Sequence, residues 1–257
     1  MFITSAGKAY WMKVHELPEG SRTSKGAHIK SLLTVSPNED ITAIVSLKEF
    51  SDSEFLFMGT ARGVVKKVTI SEFSNAKTRG VIAIKLDDGD RLVSALLTKG
   101  ADEVVLISRR GQALRTHEDK VRAMGRSSRG ITGMKLSNGD ELTGLLRADS
   151  VEKMLILSEY GFGKRVDFSE FTSHGRGTGG QRIYTVSEKT GEIVGCVSVL
   201  EDEEIMCITS QGKSIKLKVA GISVMGRSAQ GVRIVTIDKP DFVTGLDRIV
   251  KDTEDAE

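Results

Sequence analysis

Short runs of apolar residues, each followed by a glycine turn, recur along the whole chain. Typical examples are "EFLFMGT", "EVVLIS", "KMLILS" and "EIMCITS", and each is followed by a second run with a basic residue, such as "GVVKKVTI" or "GKSIKLKV". Runs of this length between turn residues are typical of β-strands, and no stretch shows sustained helical periodicity. The pattern predicts an all-β protein, and short helical turns are most expected at the two "SEF" segments near Ser71 and Ser169.

Two glycines mark each repeat of this pattern. Within a repeat they are 17 or 19 residues apart, and the second glycine recurs at intervals of 54, 50, 50 and 51 residues. The first set is Gly7, Gly63, Gly111, Gly161 and Gly212, and the second set is Gly26, Gly80, Gly130, Gly180 and Gly231. Self-similarity of this period indicates a repeat architecture. We predict one repeat domain with units at about 1–52, 53–101, 102–150, 151–202 and 203–250, followed by an acidic tail at 251–257.

Each unit contains two more strand-like runs after the second glycine. They are joined by turns such as "DDGD" and "SNGD", and Asp-Gly and Asn-Gly pairs are strong signals for hairpins. A unit is therefore predicted to be four short antiparallel strands. Radial repetition of such units gives a propeller-like fold, here with five visible blades. A single Trp and three Tyr argue against the aromatic signatures of kelch and WD blades.

Basic residues recur at fixed distances from both glycines. Four residues before the second glycine the chain has Arg22, Arg126, Arg176 and Arg227, with Lys77 beside the exception, and one residue before it stand Lys25, Arg79 and Arg129. Four residues after the first glycine the chain has Lys67, Arg115, Arg165 and Lys216, with Trp11 in the remaining repeat. Arg182 and Arg233, at the start of third strands, complete the candidate DNA-binding set. Cations at one height around a repeated blade predict a curved track for a long polyanion.

Duplex DNA fits such a track. Loops such as "GRSSRG" and "GRGTGG" predict compact turns with exposed backbone amides that can receive phosphate oxygens. Bending some 35 base pairs through a half-turn costs about 12 kcal/mol, so contacts from several basic clusters are needed to offset this free energy. Because arginines on short turns reach phosphates rather than base edges, we expect binding to be independent of DNA sequence.

The net charge and the cysteines indicate the cellular compartment and the kind of ligand. The formal charge is +2, and the last seven residues, "KDTEDAE", carry −3, so residues 1–250 carry +5. We hypothesise that this tail weakens DNA binding by competing for the basic surface. Cys196 and Cys207 lie in apolar runs and are predicted to be reduced core thiols. With no signal peptide and no apolar run long enough to span a membrane, these features predict a cytoplasmic protein associated with the nucleoid.

No other chemistry is indicated by the sequence. His15, His28, His117 and His174 are scattered through different repeats, which excludes the spacing of a zinc site. "GFGKR" lacks the first glycine of a nucleotide-binding loop, and no Ser, His and Asp set stands out as a nucleophile. We therefore expect no catalytic residue, metal or cofactor in this chain.

Several stretches resemble the C-terminal domain of DNA gyrase A subunits, a family of type IIA topoisomerases. They include "MKVHELPEGSRTSKGAHIKSLL" at 12–33, "VRAMGRSSRGITGMKL" at 121–136 and "GISVMGRSAQGVRI" at 221–234. The resemblance covers essentially the whole chain. It implies a strand-swapped propeller, the β-pinwheel, usually of six blades, that wraps duplex DNA for an ATP-dependent enzyme introducing negative supercoils. The implied protein partners are the rest of the gyrase A chain and the gyrase B chain.

One departure from the family leaves an alternative open. The basic box Gln-Arg-Arg-Gly-Gly-Lys-Gly does not occur in this sequence, and alignment places it upstream of Met1, so the chain is expected to be a fragment. If the parent protein lacks the box, the better match becomes the C-terminal domain of the corresponding topoisomerase IV chain. A protein-docking propeller without DNA binding is the alternative from another class. Single-strand binding would need aromatic residues among the basic ones, and only Trp11 stands at such a position.

Overall fold

The computed structural model describes residues 1–20 and 26–249, and across these ranges the chain forms short strands and 3₁₀ turns with no α-helix. The strands are β1 (Phe2–Thr4), β2 (Lys8–Tyr10), β3 (Ile41–Ile44), β4 (Phe55–Thr60), β5 (Val64–Thr69), β6 (Val81–Ile82), β7 (Leu92–Thr98), β8 (Glu103–Ser108), β9 (Gln112–His117), β10 (Ile131–Thr132), β11 (Leu142–Arg147), β12 (Lys153–Ser158), β13 (Phe162–Asp167), β14 (Gln181–Arg182), β15 (Ile193–Val199), β16 (Glu204–Thr209), β17 (Ser214–Lys218), β18 (Val232–Arg233) and β19 (Val243–Ile249). The predicted all-β class is confirmed.

The 3₁₀ turns include both predicted helical turns, at Ile70–Phe73 and Phe168–Glu170. The others are Val14–Glu16, Ile29–Ser31, Lys77–Arg79, Glu118–Lys120 and Val219–Gly221. The turns that directly follow β5, β9, β13 and β17 stand at the same place in successive repeats.

The strands of the described residues form five small sheets. Four have four strands, in the orders β3-β1-β2-β6, β10-β5-β4-β7, β11-β8-β9-β14 and β15-β12-β13-β18, and the fifth has the order β17-β16-β19. In each four-stranded sheet three strands belong to one repeat and the fourth comes from the next repeat. The strand exchange implied by the family resemblance is therefore present.

This exchange corrects one prediction from the sequence. The two runs joined by "DDGD" do not form a hairpin, because β6 pairs with β2 of the preceding repeat, Lys8 opposite Ile82, while β7 pairs with β4 of its own repeat. The glycine of the turn, Gly89, keeps the expected positive φ of 72°. The hairpin β1–β2 would otherwise leave the backbone groups of β2 unpaired on one edge, and the two-residue strand β6 satisfies them.

The chain divides into two compact units, residues 1–101 with 121–131, and residues 102–120 with 132 onward. In the first unit, buried Ile3, Leu56 and Met58 belong to one core cluster that joins neighbouring sheets. In the second unit, Cys207 is buried in such a cluster and Cys196 is a half-buried residue packed against another. Both thiols are free, and burial raises the pKa of Cys207 to about 11 and that of Cys196 to about 12.

The first glycine of a repeat is required on two grounds. Gly161 has a φ of +77°, and a Cβ there would lie 2.2 Å from the carbonyl oxygen of Val235, which follows the exchanged strand β18. Gly111 is in the same position against Tyr184, at 2.3 Å. The positive φ makes the hairpin turn, and the missing side chain lets the next repeat approach the turn.

Replacing Gly161 by Ala is expected to lower the free energy of unfolding by about 3 kcal/mol, because the strain of positive φ adds to a collision with backbone. Gly212 is a matched control, since its φ is also +77° but a Cβ there meets nothing within 4 Å. Gly212→Ala should cost only about 1 kcal/mol. Denaturant unfolding of both variants measures the difference, and equal losses would contradict the role given to close approach.

Candidate nucleic-acid interface

Three arginines of the candidate set occupy equivalent positions in their repeats. The loop that precedes each exchanged strand carries an arginine four residues before the second glycine. Each guanidinium donates through Nη1 to the carbonyl oxygen two residues after the second glycine of the preceding repeat. The three bonds run from Arg126 to Ile82 at 3.4 Å, from Arg176 to Thr132 at 3.2 Å and from Arg227 to Arg182 at 3.4 Å. Each of these bonds takes only part of a guanidinium with five N–H donors.

Most of the remaining loop cations are exposed. The side chain of Arg129 is 63% exposed and forms a surface ion pair with Asp87 at 2.7 Å. Exposed ion pairs of this kind contribute little free energy, so Asp87 is a weak competitor for a phosphate. Arg182, Arg233, Lys77 and Arg79 are also exposed residues.

The candidates four residues after the first glycine behave differently, and the expectation that they all lie on an exposed track is wrong. Arg165 has a side chain only 5% exposed, which pairs with Glu201 and donates from Nε to the carbonyl oxygen of Ile222 at 2.6 Å. Lys67 is 6% exposed, with its ammonium 4.8 Å from the ring centroid of Phe55.

The other two members of this set are also ion-paired. Arg115 is half-buried, and its Nε donates to Glu103 at 2.5 Å. Lys216 stays exposed and pairs with Glu204 at 2.6 Å. The guanidinium groups of Arg115 and Arg165 are therefore wholly or partly buried, although Glu201, the partner of Arg165, is 64% exposed, whereas the Lys216 side chain is at the surface.

The regular spacing of this second set has a structural cause. In three repeats the side chain at this position donates to the carbonyl oxygen ten residues after the first glycine of the next repeat. The donors and acceptors are Trp11 and Phe73 at 3.1 Å, Arg115 and Phe171 at 3.4 Å, and Arg165 and Ile222 at 2.6 Å. Because a tryptophan can replace an arginine here, the position needs a long N–H donor rather than a positive charge.

Two candidate DNA-binding residues and the acidic tail proposed to compete with DNA lie outside the described residues. Arg22 and Lys25 belong to the segment 21–25, and the acidic tail begins beyond residue 249.

Sequence reasoning missed two lysines that hold the loops. Lys66 and Lys164 are fully buried, and each ammonium lies among carbonyl oxygens, most of them in the loop of the next repeat. Both stand three residues after the first glycine, and this shared offset is the signal that could have found them. They were overlooked because a lysine in a strand beside another basic residue is usually a surface charge.

The described residues contain no cluster of three or more His, Cys, Asp or Glu side chains able to hold a metal ion. Within the same ranges, no helix has the length and apolar character needed to cross a membrane.

Comparisons with known proteins agree on one family. The family model described as DNA gyrase C-terminal domain, beta-propeller, matches five times, at residues 1–48, 54–99, 102–149, 152–199 and 203–249. The gyrase A protein of Treponema pallidum (strain Nichols) is 60% identical over 98% of this chain, and that of Escherichia coli (strain K12) is 38% identical over 98%. The chain spans 31% and 29% of these two relatives.

Solved structures show the same fold. The structure of a DNA gyrase A C-terminal domain matches with a TM-score of 0.84 and 28% identity, over 97% of this chain and 81% of that one. The C-terminal domain of a DNA topoisomerase IV matches with a TM-score of 0.86 over 96% of this chain and 78% of that one, and at 23% identity this likeness concerns the fold alone.

Replacing Arg165 by Met, which keeps the stem and removes the guanidinium, is expected to lower the free energy of unfolding by about 2 kcal/mol through lost hydrogen bonds. Lys216→Met is the matched control, because Lys216 has the same offset and an ion pair but a side chain 54% exposed. The control should change stability by less than about 0.5 kcal/mol. Equal effects in thermal or denaturant unfolding would show that the buried contacts are not what the position supplies.

Proposed function

Because the chain belongs to the DNA gyrase C-terminal domain family of β-propellers, we propose that it binds, bends and wraps duplex DNA. The arginine-bearing loops would contact successive phosphates, with no preference for base sequence. The chain would act as the non-catalytic C-terminal part of an ATP-dependent type II topoisomerase that introduces negative supercoils. Its partners would be double-stranded DNA, the rest of the gyrase A chain and the gyrase B chain, in the cytoplasm with the nucleoid and without a cofactor in this part.

One observation carries the proposal, which is the equivalent placement of Arg126, Arg176 and Arg227. A repeated guanidinium position suits a ligand that is itself periodic, and the DNA backbone is the common polyanion with that property. The second set of basic residues adds little, since Lys67, Arg115 and Arg165 are buried or held by internal partners.

We favour a gyrase part over a topoisomerase IV part because the relatives at 60% and 38% identity are gyrase A proteins. The structural likeness to the topoisomerase IV domain supports the fold of both proteins equally. Docking of a protein partner is the competing role, and DNA binding at low salt separates the two.

Replacing Arg126, Arg129, Arg176 and Arg227 together by Gln is expected to abolish bending of a short duplex while leaving the fold intact. Energy transfer between dyes at the duplex ends reports bending. Each lost phosphate contact should also reduce the slope of log affinity against log salt by about 0.9. Unchanged energy transfer would refute the placement of DNA on these loops.

A charge-matched variant controls for the loss of four positive charges. Lys13, Lys48, Lys189 and Lys218 are exposed and lie outside these loops, so replacing them by Gln should leave most of the bending in place. A wild-type chain that fails to retard unrelated linear duplexes even at low salt would instead favour the docking role.

A further inference from the structure

We propose that Lys66 and Lys164 are positioning residues whose buried side chains hold two loops, residues 124–130 and 225–231, in a shape that presents backbone N–H groups to DNA phosphates. We call these two segments the caged loops, because each surrounds a lysine ammonium group with carbonyl oxygens. The inference rests on the proposed DNA binding and adds to it a device inside the fold. Neither lysine would itself touch DNA.

The contacts of Lys66 show how a caged loop is held. Its Nζ donates to the carbonyl oxygens of Ala83 and Ser128, both at 2.9 Å, and to that of Arg126. An ammonium group has three N–H donors, so the three carbonyl oxygens satisfy it. A buried charge without such partners would be strongly unfavourable.

Lys164 repeats this arrangement two repeats later in the other caged loop. Its Nζ donates to the carbonyl oxygens of Gly226 at 2.9 Å, Arg227 at 2.8 Å and Ala229 at 2.7 Å. Arg126 and Arg227 stand four residues before the second glycine, and Ser128 and Ala229 stand two residues before it. Both ammonium groups therefore bond the same two positions of their loops, while the third acceptor is Ala83 for Lys66 and Gly226 for Lys164.

Peptide geometry then fixes where the loop N–H groups point. The C=O and N–H of a trans peptide group point in opposite directions, so carbonyl oxygens turned toward the ammonium turn the next N–H away from it. These N–H groups belong to Ser127 and Arg129 in one loop and to Ser228 and Gln230 in the other, and all four residues are exposed. None of the four N–H groups donates to another residue of the described part of the chain. In each loop these two N–H groups are two residues apart and lie beside an arginine, and exposed backbone N–H groups are common donors to phosphate oxygens.

The third repeat has no lysine at this position and so serves as a comparison for the two caged loops. In the third repeat Leu114 replaces the lysine, and the loop of the following repeat is "GRGTGG" instead of "MGRS" with its serine turn. One backbone bond is shared with the first caged loop, since the N–H of Lys135 donates to the Thr178 carbonyl oxygen at 2.9 Å just as that of Lys85 donates to the Ser128 carbonyl oxygen at 3.1 Å. What differs is a bond from the N–H of Gly177 to the Gly133 carbonyl oxygen at 2.5 Å, whose counterpart Ala83 accepts from the Lys66 ammonium. The buried lysine and the "MGRS" loop therefore occur together or not at all in these three cases.

A carboxylate completes each cage from the outside. Glu72 accepts the N–H of Arg126 at 3.2 Å, and Glu170 accepts the N–H of Arg227 at 3.4 Å. In the third repeat the equivalent position is Lys120. Two caged loops therefore each have a cation on their carbonyl oxygens and an anion on an N–H group.

The surroundings of the two ammonium groups also set their protonation. Burial lowers the pKa of both lysines to about 8, with Glu72 and Glu170 opposing the shift and Arg126 and Arg227 adding to it. Both lysines are thus charged at pH 7 and lose the proton as the pH rises above about 8. A neutral amine has one N–H donor fewer, so one carbonyl oxygen of the cage is released.

The double variant Lys66→Met/Lys164→Met of the full chain tests the proposal by DNA affinity as a function of salt. We expect affinity for a linear duplex to fall about tenfold, equivalent to about 1.4 kcal/mol, with the slope of log affinity against log salt unchanged. The slope is unchanged because neither a buried ammonium group nor a neutral backbone N–H group releases counterions, whereas loss of an arginine or lysine contact to a phosphate would reduce it by about 0.9. Undiminished affinity in a folded double variant would overturn the proposal.

Two control variants separate positioning from packing and from charge. Leu114→Met makes a similar side chain at the same offset where no ammonium exists, and it should leave affinity unchanged. Lys48→Met/Lys189→Met removes the same charge from exposed positions and should lower affinity much less than the buried pair. A loss as large as that of the buried pair in either control would also count against the proposal.

The pH dependence gives a readout that a packing defect does not produce. Affinity of the wild-type chain should fall between pH 7 and pH 9 as the two ammonium groups lose their protons, by less than tenfold because each neutral amine keeps two N–H donors, and affinity of the double variant should stay flat over this range. If the double variant does not fold, nitrogen-15 NMR of the wild-type lysine ammonium groups replaces it. Two ammonium signals protected from exchange with water are expected, and their absence would overturn the proposal.

Failure of this inference is distinguishable from failure of the proposed function. A wild-type chain that does not bind duplex DNA contradicts the proposed function. A wild-type chain that binds DNA while the double variant binds equally well contradicts only the positioning role.

Discussion

The structure depends on the pairing of strand edges between successive repeats. A hairpin such as β8–β9 has one edge covered by a strand of its own repeat, and the backbone groups of the other edge need partners from elsewhere. The next repeat supplies them with a strand of two residues, β14. Such a small strand brings with it the loop that precedes it, so the loops of Arg126, Arg176 and Arg227 are placed against the preceding repeat.

This constraint divides the basic residues into two groups that look alike in the sequence. Residues on the hairpin, such as Arg115 and Arg165, face the 3₁₀ turn of the next repeat and give their donors to carbonyl oxygens. Residues in the loop, such as Arg129 and Arg176, lie on the outside. Both groups recur with the repeat, because internal contacts are copied as faithfully as surface ones. Periodicity alone therefore indicates a common position and does not reveal whether that position is exposed.

The sequence was sufficient for the class, the repeat and the turns. Glycine spacing indicated five repeats, and the described residues form five sheets. The "SEF" segments lie in or next to the 3₁₀ turns at Ile70–Phe73 and Phe168–Glu170. Local signals could not show which strands pair, because "DDGD" forms the same kind of turn whether its flanking strands join one sheet or two. Local sequence signals also could not show that a charged side chain is buried. Lys66 and Lys67 are adjacent, and only the surrounding carbonyl oxygens reveal that Lys66 holds a loop.

Because of strand exchange, each four-stranded sheet combines three strands of one sequence repeat with one strand of the next. This affects how such a chain can gain repeats during evolution. A duplication that begins and ends at equivalent glycines preserves the sheet partners, since the copy donates and receives the same short strand. The alternation of Lys66, Leu114 and Lys164 adds a second rule. A copied single unit would set a lysine against a loop shaped for leucine, whereas a copied pair would inherit matching neighbours, so even-numbered additions disturb the molecule least.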